Sequence, residues 1–564
     1  MHVALALALL HLALVLLSMH SAPHGGGDNA SYLALARSLR EHGTYQELWD
    51  PAARPHTQYP PGWPLILAIA MTLGLKPWVG FKVLVALTSA LAVGASYLWA
   101  RRLATPGTAL GLGLLVAVGT GVVDLGRWEL SDPPFWAFTM LALLAFARLN
   151  RDPADASAAA ALSPPGTAAA ETAETESWRA WLGPVALACA ATLLAYATRS
   201  AGLPLVVAAG AWLAWRRRWA WVGVFAAFIV PFALFWWARG RAVGGASYAG
   251  YLWYVDPYRP MLGTVGIGGL LQRMVSNGAE YTTEHLPFLL TGVRTGTPAA
   301  LLGVAVVLLA LAGWVMRMRR PGVAELWLPL YVGLVFVWPE GWAGERFLLP
   351  ALPMLLLCAA EPLRRLQART GYAARVGAAA VAITLLANMP PLRNQLTDGV
   401  QCRAAYTPTN AFPCMAEAWV DFLDMARDLR GRLPADAVVL SRKATLFWAY
   451  SQYPSRTYPF TDNPDTLLAA AREAGATYIL LDYMDRVSSM YLAPVLMQRP
   501  QAFCVMSAAG PGRATLMAIR PGAEQMPNVR SRPTDETVDV PFQGCGAEFW
   551  APGQAPPNVR RDTS

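Results

Sequence analysis

A polytopic helical membrane protein with a small soluble α/β domain at its C-terminal end is the fold class this chain predicts. Three observations carry that reading. Of 564 residues, 55% are hydrophobic and only 14% charged, whereas soluble globular chains carry about 25% charged residues. Apolar runs recur through the first 390 residues and stop there. The arginines fall in short clusters at the ends of those runs: Arg101–Arg102, Arg216–Arg218, Arg317 with Arg319–Arg320, and Arg364–Arg365. Clusters so placed set membrane orientation through the positive-inside bias. They form no soluble basic face, so the net charge of +9 does not argue for nucleic acid as a partner.

Met1–Met19 is expected to be the first span, with its C-terminal end outside. A signal peptide is the rival reading, but no Lys or Arg precedes the apolar run, and His20-Ser21-Ala22 puts a bulky residue near a possible cut. Trp63–Leu75 is apolar but only 13 residues long. At 1.5 Å per residue it reaches about 20 Å, short of the roughly 30 Å hydrocarbon core, so it reads as a helix half-buried at the outer surface. The remaining spans are expected at 79–100, 106–124, 133–148, 181–198, 201–215, 219–238, 298–316, 324–338, 347–361 and 373–389, about eleven in all. Every arginine cluster then lies inside.

Residues 1–390 thus form a transmembrane domain and 391–564 an extracytoplasmic one. Outside loops fall at 20–78, about 125–132, and 239–297, the last rich in tyrosine and glycine. Inside, the linker 149–180 contains an Ala/Thr/Glu/Pro tract, 151–177, with too little to bury, and is expected to be a disordered connector.

The tail reads as α/β. Helical patterns at 415–430, 464–474 and 488–497 alternate with strand-like runs Ala437–Leu440, Tyr478–Leu481 and Ala514–Ile519, and beyond about 521 the chain is Pro-rich and irregular. It shows no Gly-rich phosphate loop and no metal-spaced His/Cys cluster. Cys402, Cys414, Cys504 and Cys545 all lie in it, as expected for two disulfides in an oxidising compartment. Proximity favours Cys402–Cys414 and Cys504–Cys545 among three pairings; four free thiols are the alternative.

Few polar residues stand at the outer ends of the spans. Asp28 follows Gly25-Gly26-Gly27 and precedes an amphipathic stretch in which Tyr32, Leu35, Ala36 and Leu39 share a face. An Asp there suits a helix N-cap. A carboxylate just beyond the first crossing also suits a base held at the membrane face, acting on a lipid-borne substrate. Asp132, ahead of Pro133-Pro134, has the same two readings, and Glu129 competes with it. Arg199 and Arg346 stand singly at the outer ends of spans. They either snorkel to the interface or grip a phosphate through forked hydrogen bonds. Glu345 is positioned to neutralise Arg346. Tyr59, Tyr251 and Tyr254 suit sugar stacking or an interfacial belt. His24, His42, His56 and His285 have no ligand spacing and are assigned no metal.

These residues carry a family resemblance. The first span is followed by Asp28, a helix with Tyr32 and Ala36, Gly43-Thr44-Tyr45, and Tyr59-Pro60-Pro61-Gly62. Asp132, Arg199, Glu345-Arg346-Phe347-Leu348-Leu349-Pro350 and a soluble tail come after. The order resembles the GT-C membrane glycosyltransferases over about residues 1–390, specifically those similar to protein mannosyltransferases and the lipid A aminoarabinose transferase. The resemblance implies a hexosyl- or pentosyltransferase that takes sugar from a polyprenyl-phosphate donor, with inversion, to a lipid, glycan or protein acceptor. It places Asp28 as the catalytic aspartate and Asp132 (or Glu129) as the second acidic residue, with Arg346 near the carrier phosphate. Arg199 is a second candidate there, and Tyr59, Tyr251 and Tyr254 belong to the substrate loops. No cofactor follows from it, and a divalent metal stays an open alternative.

The arginine- and alanine-rich composition suits a high-GC bacterium, and the expected location is the inner membrane. A transporter or lipid flippase of the cell-envelope pathway is the rival class. It would show repeated halves and broken spans around midplane charges, and no such repeat is visible. Sugar, acceptor and carrier length are not written in the sequence.

Overall fold

The computed structural model describes residues 1–150, 169–244, 248–367, 372–510, 513–529 and 542–554, with side chains from 183 onward in the second stretch and Ala249 given by its backbone. The membrane part contains helices α1 (His2–Ser18), α2 (Asp28–His42), α3 (Gly62–Thr72), α4 (Val79–Leu103), α5 (Pro106–Val118), α6 (Thr120–Gly126), α7 (Asp132–Leu149) and α8 (Ala169–Thr198). It continues through α9 (Leu203–Trp215), α10 (Trp219–Val243), α11 (Tyr248–Tyr251), α12 (Ile267–Glu280), α13 (Leu286–Thr291), α14 (Thr297–Arg317), α15 (Val323–Phe336), α16 (Leu352–Gln367) and α17 (Tyr372–Ala404).

Each expected span is helical over most of its length. Among the described residues four helices, α4, α10, α14 and α17, are by length and composition long and apolar enough to cross a membrane, or five if the bent pair α5–α6 is one span. The helices pack lengthwise, α7 along α8 and α4, α14 along α16, and α1 along α4. Small residues permit the close approaches, as interhelical contacts in lipid require. A Cβ on Gly313 of α14 would collide with the Cys358 carbonyl oxygen of α16.

Five segments differ from the sequence reading. The span expected at 106–124 bends by 56° between α5 and α6. Asn388 of α17 repairs the break: its Oδ1 accepts from the Thr120 amide (2.9 Å) and hydroxyl (2.7 Å), and its Nδ2 donates to Val118 O (2.7 Å). Backbone groups freed within a bilayer need such partners. The span expected at 347–361 starts as a helix only at Leu352, after a short 3₁₀ turn at Glu345–Phe347. Helix α17 continues to Ala404, through Pro390 and Pro391, so the boundary expected at 390/391 falls inside a helix. The loop 239–297 is largely helical, containing α11, α12, a π turn at Tyr281–His285 and α13. Of the connector 151–177, residues 151–168 lie outside the described residues, and the backbone from Ala169 is helical instead of irregular.

The tail contains α18 (Glu417–Asp428), β1 (Val439–Leu440), α19 (Ala444–Ser451), β2 (Ser455–Arg456), α20 (Pro464–Ala474), β3 (Tyr478–Leu481), α21 (Ala493–Gln498), β4 (Phe503–Ala508) and β5 (Thr515–Ile519). Strand order is β2-β1-β3-β5-β4. The pairs β1–β2 and β1–β3 are parallel, and β3–β5 and β5–β4 antiparallel. Alternate residues of β3 serve opposite cores, as the two-residue period of a strand dictates. Ile479 packs with Leu467, Leu468, Val495 and Leu496. Tyr478 and Leu480 pack with Phe422, Leu423 and Phe447 in a core that runs on into Tyr32 and Leu33 of α2 and Trp63 and Leu67 of α3. Helices α2 and α3 are thus wedged between the membrane helices and the tail. Disulfides join Cys402 to Cys414 and Cys504 to Cys545.

Candidate functional site

The site begins at a backbone turn. Gly27 takes φ +92°, a left-handed conformation that favours glycine, and sits at the N-cap of α2. Asp28 is therefore the first helical residue, and its side chain makes no capping hydrogen bond. That sets aside the cap reading of Asp28. The same holds for Asp132, which opens α7 behind Ser131 at the N-cap.

Both Asp28 carboxylate oxygens are engaged. Oδ2 accepts from Arg346 Nη1 (2.8 Å) and Oδ1 from the Tyr59 hydroxyl (2.9 Å). The pair is sheltered but reachable, with 23% of the Asp28 side chain and 26% of Arg346 exposed. Burial pushes the Asp28 carboxyl up; the Arg346 charge and hydrogen bond, the Tyr59 hydrogen bond and the Arg199 charge outweigh it and hold the group down at about 2. Tyr59 is itself fixed: its amide donates to His56 Nε2 (2.8 Å), the two rings stack, and His56 Nδ1 lies 2.8 Å from Glu47 Oε1.

A second pair lies beside the first. Arg199 Nη1 donates to Asp132 Oδ2 (2.8 Å) and to Ser131 Oγ (2.9 Å), and Ser131 Oγ is 2.8 Å from the Tyr32 hydroxyl. The Tyr32 ring in turn meets the Tyr59 ring edge-on at 5.1 Å. Phe347 lies under both guanidiniums, 4.8 Å from Arg346 and 5.3 Å from Arg199. The structure thus gathers Asp28, Arg346, Tyr59, Asp132 and Arg199 from five separate segments.

Other candidates go elsewhere. Glu129 is buried at 2% exposure. It faces Lys82 Nζ (3.4 Å), the His24 amide (3.2 Å) and Asn29 Nδ2 (3.3 Å), with no arginine among those contacts. Glu345 does not neutralise Arg346. It binds Arg294 through both oxygens (2.6 and 2.9 Å) and lies 3.2 Å from His285, because the 3₁₀ turn points neighbouring side chains apart. Tyr251 packs on Trp342 (5.0 Å), and the Tyr254 carbonyl accepts from Arg273, so neither touches Asp28.

Three further residues belong to the site: Tyr32 entered the sequence reading only through its helix face and the family resemblance, Tyr248 only as one of the tyrosines of loop 239–297, and Ser131 only as the neighbour of Asp132. Tyr248 reaches the site through Tyr59 (6.4 Å) and Trp338 (5.3 Å). The available signals were the four-residue spacing of Tyr32 from Asp28, which puts both on one helical face, and the adjacency of Ser131 to Asp132. Among the described residues no group of three or more His, Cys, Asp or Glu side chains is placed to hold a metal.

A family model described as dolichyl-phosphate-mannose-protein mannosyltransferase matches residues 55–242. That stretch holds Tyr59, Asp132 and Arg199 but not Asp28 or Arg346. The apo crystal structure of ArnT from Cupriavidus metallidurans aligns with 91% of this chain and 97% of its own, at 16% identity and a TM-score of 0.51. ArnT bound to undecaprenyl phosphate aligns with 92% and 98%, at the same identity and score. The apo oligosaccharyltransferase of Archaeoglobus fulgidus covers 89% of this chain and 73% of its own, at 15% identity and a TM-score of 0.52. No curated protein matches the chain in sequence. The chain has the fold of the GT-C superfamily membrane glycosyltransferases, and it resembles them in sequence across residues 55–242.

Proposed function

We propose that this protein transfers a sugar from a polyprenyl-phosphate donor to an acceptor at the outer face of a bacterial inner membrane, with inversion at the anomeric carbon. The observation that carries the reading is the meeting of Asp28, Arg346 and Tyr59 at the start of α2, where the apolar bundle gives way to the tail. A polyprenyl chain keeps its donor in the bilayer, so the sugar–phosphate bond must be broken at that level.

The chemistry follows from the ion pair. A guanidinium has five donors, and one Nη1–H suffices for Asp28, which leaves Arg346 able to hold a phosphate as well. A dianionic leaving phosphate draws on the Arg346 charge that otherwise depresses Asp28. That second charge builds as the sugar–phosphate bond breaks, so the basicity of Asp28 rises while the acceptor hydroxyl attacks and gives Asp28 its proton. Arg199, already committed to Asp132, adds positive potential to the leaving group. An acceptor that is itself an anionic phosphate needs no base, and Asp28 then orients it. The ArnT complex with undecaprenyl phosphate supports a lipid-linked donor by likeness of fold.

The direct test is the purified full chain in nanodiscs with polyprenyl-phosphate sugars extracted from the source cells. Lipid mass spectrometry should show donor consumption with release of the polyprenyl phosphate. Donor lipids that stay intact with every extracted acceptor fraction would overturn the reading.

The same proposal assigns residues 1–390 to the catalytic membrane domain, crossed about eleven times, and the tail to the extracytoplasmic side. After mild reduction of intact spheroplasts, a membrane-impermeant thiol reagent is expected to label Cys414 and Cys545, the more exposed partners of the two tail disulfides. Labelling only after permeabilisation would reverse the orientation.

A further inference from the structure

The tail sheet places a second group of polar side chains next to Asp28. From β1 the chain runs to β2 on one side and returns to β3 on the other, so the parallel neighbours β1 and β3 flank a topological switch point. In open α/β sheets ligands bind outside the carboxyl ends of the strands at such a point. Here those ends carry Arg442 and Lys443 after β1, and Asp482 and Asp485 after β3.

Burial and unused hydrogen-bonding capacity mark this group. Arg442, 7% exposed, is 3.0 Å from Asp485 through Nη2, and its buried Nε has no partner. Asp482, at 0% exposure, accepts from the Met484 amide (3.3 Å) on Oδ1 and has the Ser488 hydroxyl beside it. Buried polar atoms are usually satisfied in native structures, so the unpartnered Arg442 Nε leaves this cluster with hydrogen-bonding capacity its own side chains do not use.

Aromatic rings from both parts of the fold cover the cluster. The Arg442 guanidinium is 5.0 Å from the Tyr258 ring and 5.5 Å from that of Phe460, and the two rings meet at 6.0 Å. A cleft of about 240 Å³ opens beside them, lined by Tyr258, Arg259, Arg486, Val487, Met490 and Tyr491.

The cluster is also joined to Asp28 in two ways. Lys443 Nζ donates to Gly26 O (3.2 Å) and Thr445 Oγ1 to Gly27 O (3.1 Å), fastening the turn that presents Asp28. In addition, rings follow one another from Tyr258 to Trp342 (6.0 Å), Trp338 (6.1 Å), Tyr248 (5.3 Å) and Tyr59 (6.4 Å), which hydrogen-bonds Asp28.

We propose that the carboxyl ends of β1 and β3 form the acceptor subsite, and that it takes a carbohydrate acceptor. Across the cluster and the cleft, Arg442, Lys443, Arg259 and Arg486 are nearly balanced by Asp482, Asp485 and Asp256, so this is not the strongly cationic pocket that selects a phosphate or another anion. Interleaved donors and acceptors instead suit hydroxyl groups, which both give and accept hydrogen bonds. The rings supply flat apolar faces for the C–H side of a pyranose. The inference rests on the reading of Asp28 as the transfer site and adds the acceptor class to it.

Saturation-transfer NMR on the full chain in nanodiscs tests it. The probe is a pool of methyl α-mannoside, methyl β-glucoside, methyl β-galactoside and α-1,6-mannobiose, with a Ser/Thr-rich peptide run in parallel. Saccharide ring protons are expected to saturate with the wild type, and about fivefold less with Asp485→Asn or Tyr258→Ala, each of which removes one class of contact. The two test residues lie on different parts of the fold, so misfolding of one variant leaves the other to decide. No saturation with the wild type, equal saturation in all variants, or saturation of the peptide in place of the sugars overturns the proposal. Saccharide binding that depends on Asp485 and Tyr258 in a protein without transfer activity supports the subsite and removes the transferase reading. Transfer that is indifferent to both residues does the reverse.

Discussion

Asp28→Asn is expected to lower sugar transfer by about 10²–10⁴-fold, the contribution of a positioned general base, while leaving α2 folded. The geometry separates the two effects. Gly27 occupies the N-cap, so the substitution removes no capping hydrogen bond. An Asn Oδ1 can still accept from Tyr59, which preserves one of the two contacts. The Arg346 partner is lost, but about a quarter of that side chain is exposed and water can replace the carboxylate. The cost should fall between that of an exposed and a buried ion pair, on the order of 1–2 kcal/mol.

Stability against pH gives a further check. A carboxyl held at about 2 is depressed below its unfolded value, so its stabilising contribution is complete above the unfolded pKa and fades only as pH falls toward 2. Wild type and variant should therefore show parallel stability profiles between about pH 5 and 8. Turnover and donor binding, measured separately, decide the chemistry. Wild-type turnover in a folded Asn variant would make Asp28 a structural partner of Arg346 and move the search to Asp132.

What was legible in the chain was what depends on local pattern. Apolar runs located the helices, because burial in lipid imposes one composition on every residue of a span. The strand-like apolar run Tyr478–Leu481, following a helical pattern, located β3, and chain proximity favoured the two disulfide pairs seen. Asp28 and Arg346 were each visible as lone charges at the ends of apolar runs. Their pairing was not, because 318 residues separate them and nothing local encodes a contact made by the packing of distant helices. Glu345 misled for the complementary reason: it adjoins Arg346 in sequence, and the 3₁₀ turn sends the two to different partners. The repair of the α5–α6 bend by Asn388 was equally hidden, since an Asn in an apolar helix shows no destination. The docking of the tail on α2 and α3 was hidden too, because an amphipathic helix at a membrane surface and one packed under a soluble domain have the same pattern.

Arg346→Gln is expected to produce two linked losses, and the linkage identifies its role. Without the guanidinium, undecaprenyl phosphate should bind about 10–100-fold more weakly, the range of one hydrogen bond to a charged group. The Asp28 carboxyl should at the same time rise from about 2, because burial is then opposed only by Tyr59 and the more distant Arg199. The acid limb of the residual pH–rate profile should move upward with it. Arg346→Lys keeps the charge but not the fork, so it should restore the low Asp28 value better than the phosphate affinity.

A double-mutant cycle with Asp28→Asn separates structure from chemistry. If the two residues only brace each other, the double variant should be about as stable as either single one, and phosphate binding should follow folding. If Arg346 serves the donor, the double variant should recover stability lost by Arg346→Gln and remain deficient in phosphate binding, because relieving an unpaired carboxylate does nothing for the leaving group. Undecaprenyl phosphate affinity that stays at the wild-type level in a folded Arg346→Gln protein would assign the phosphate to Arg199 and leave Arg346 as the group that sets the Asp28 charge.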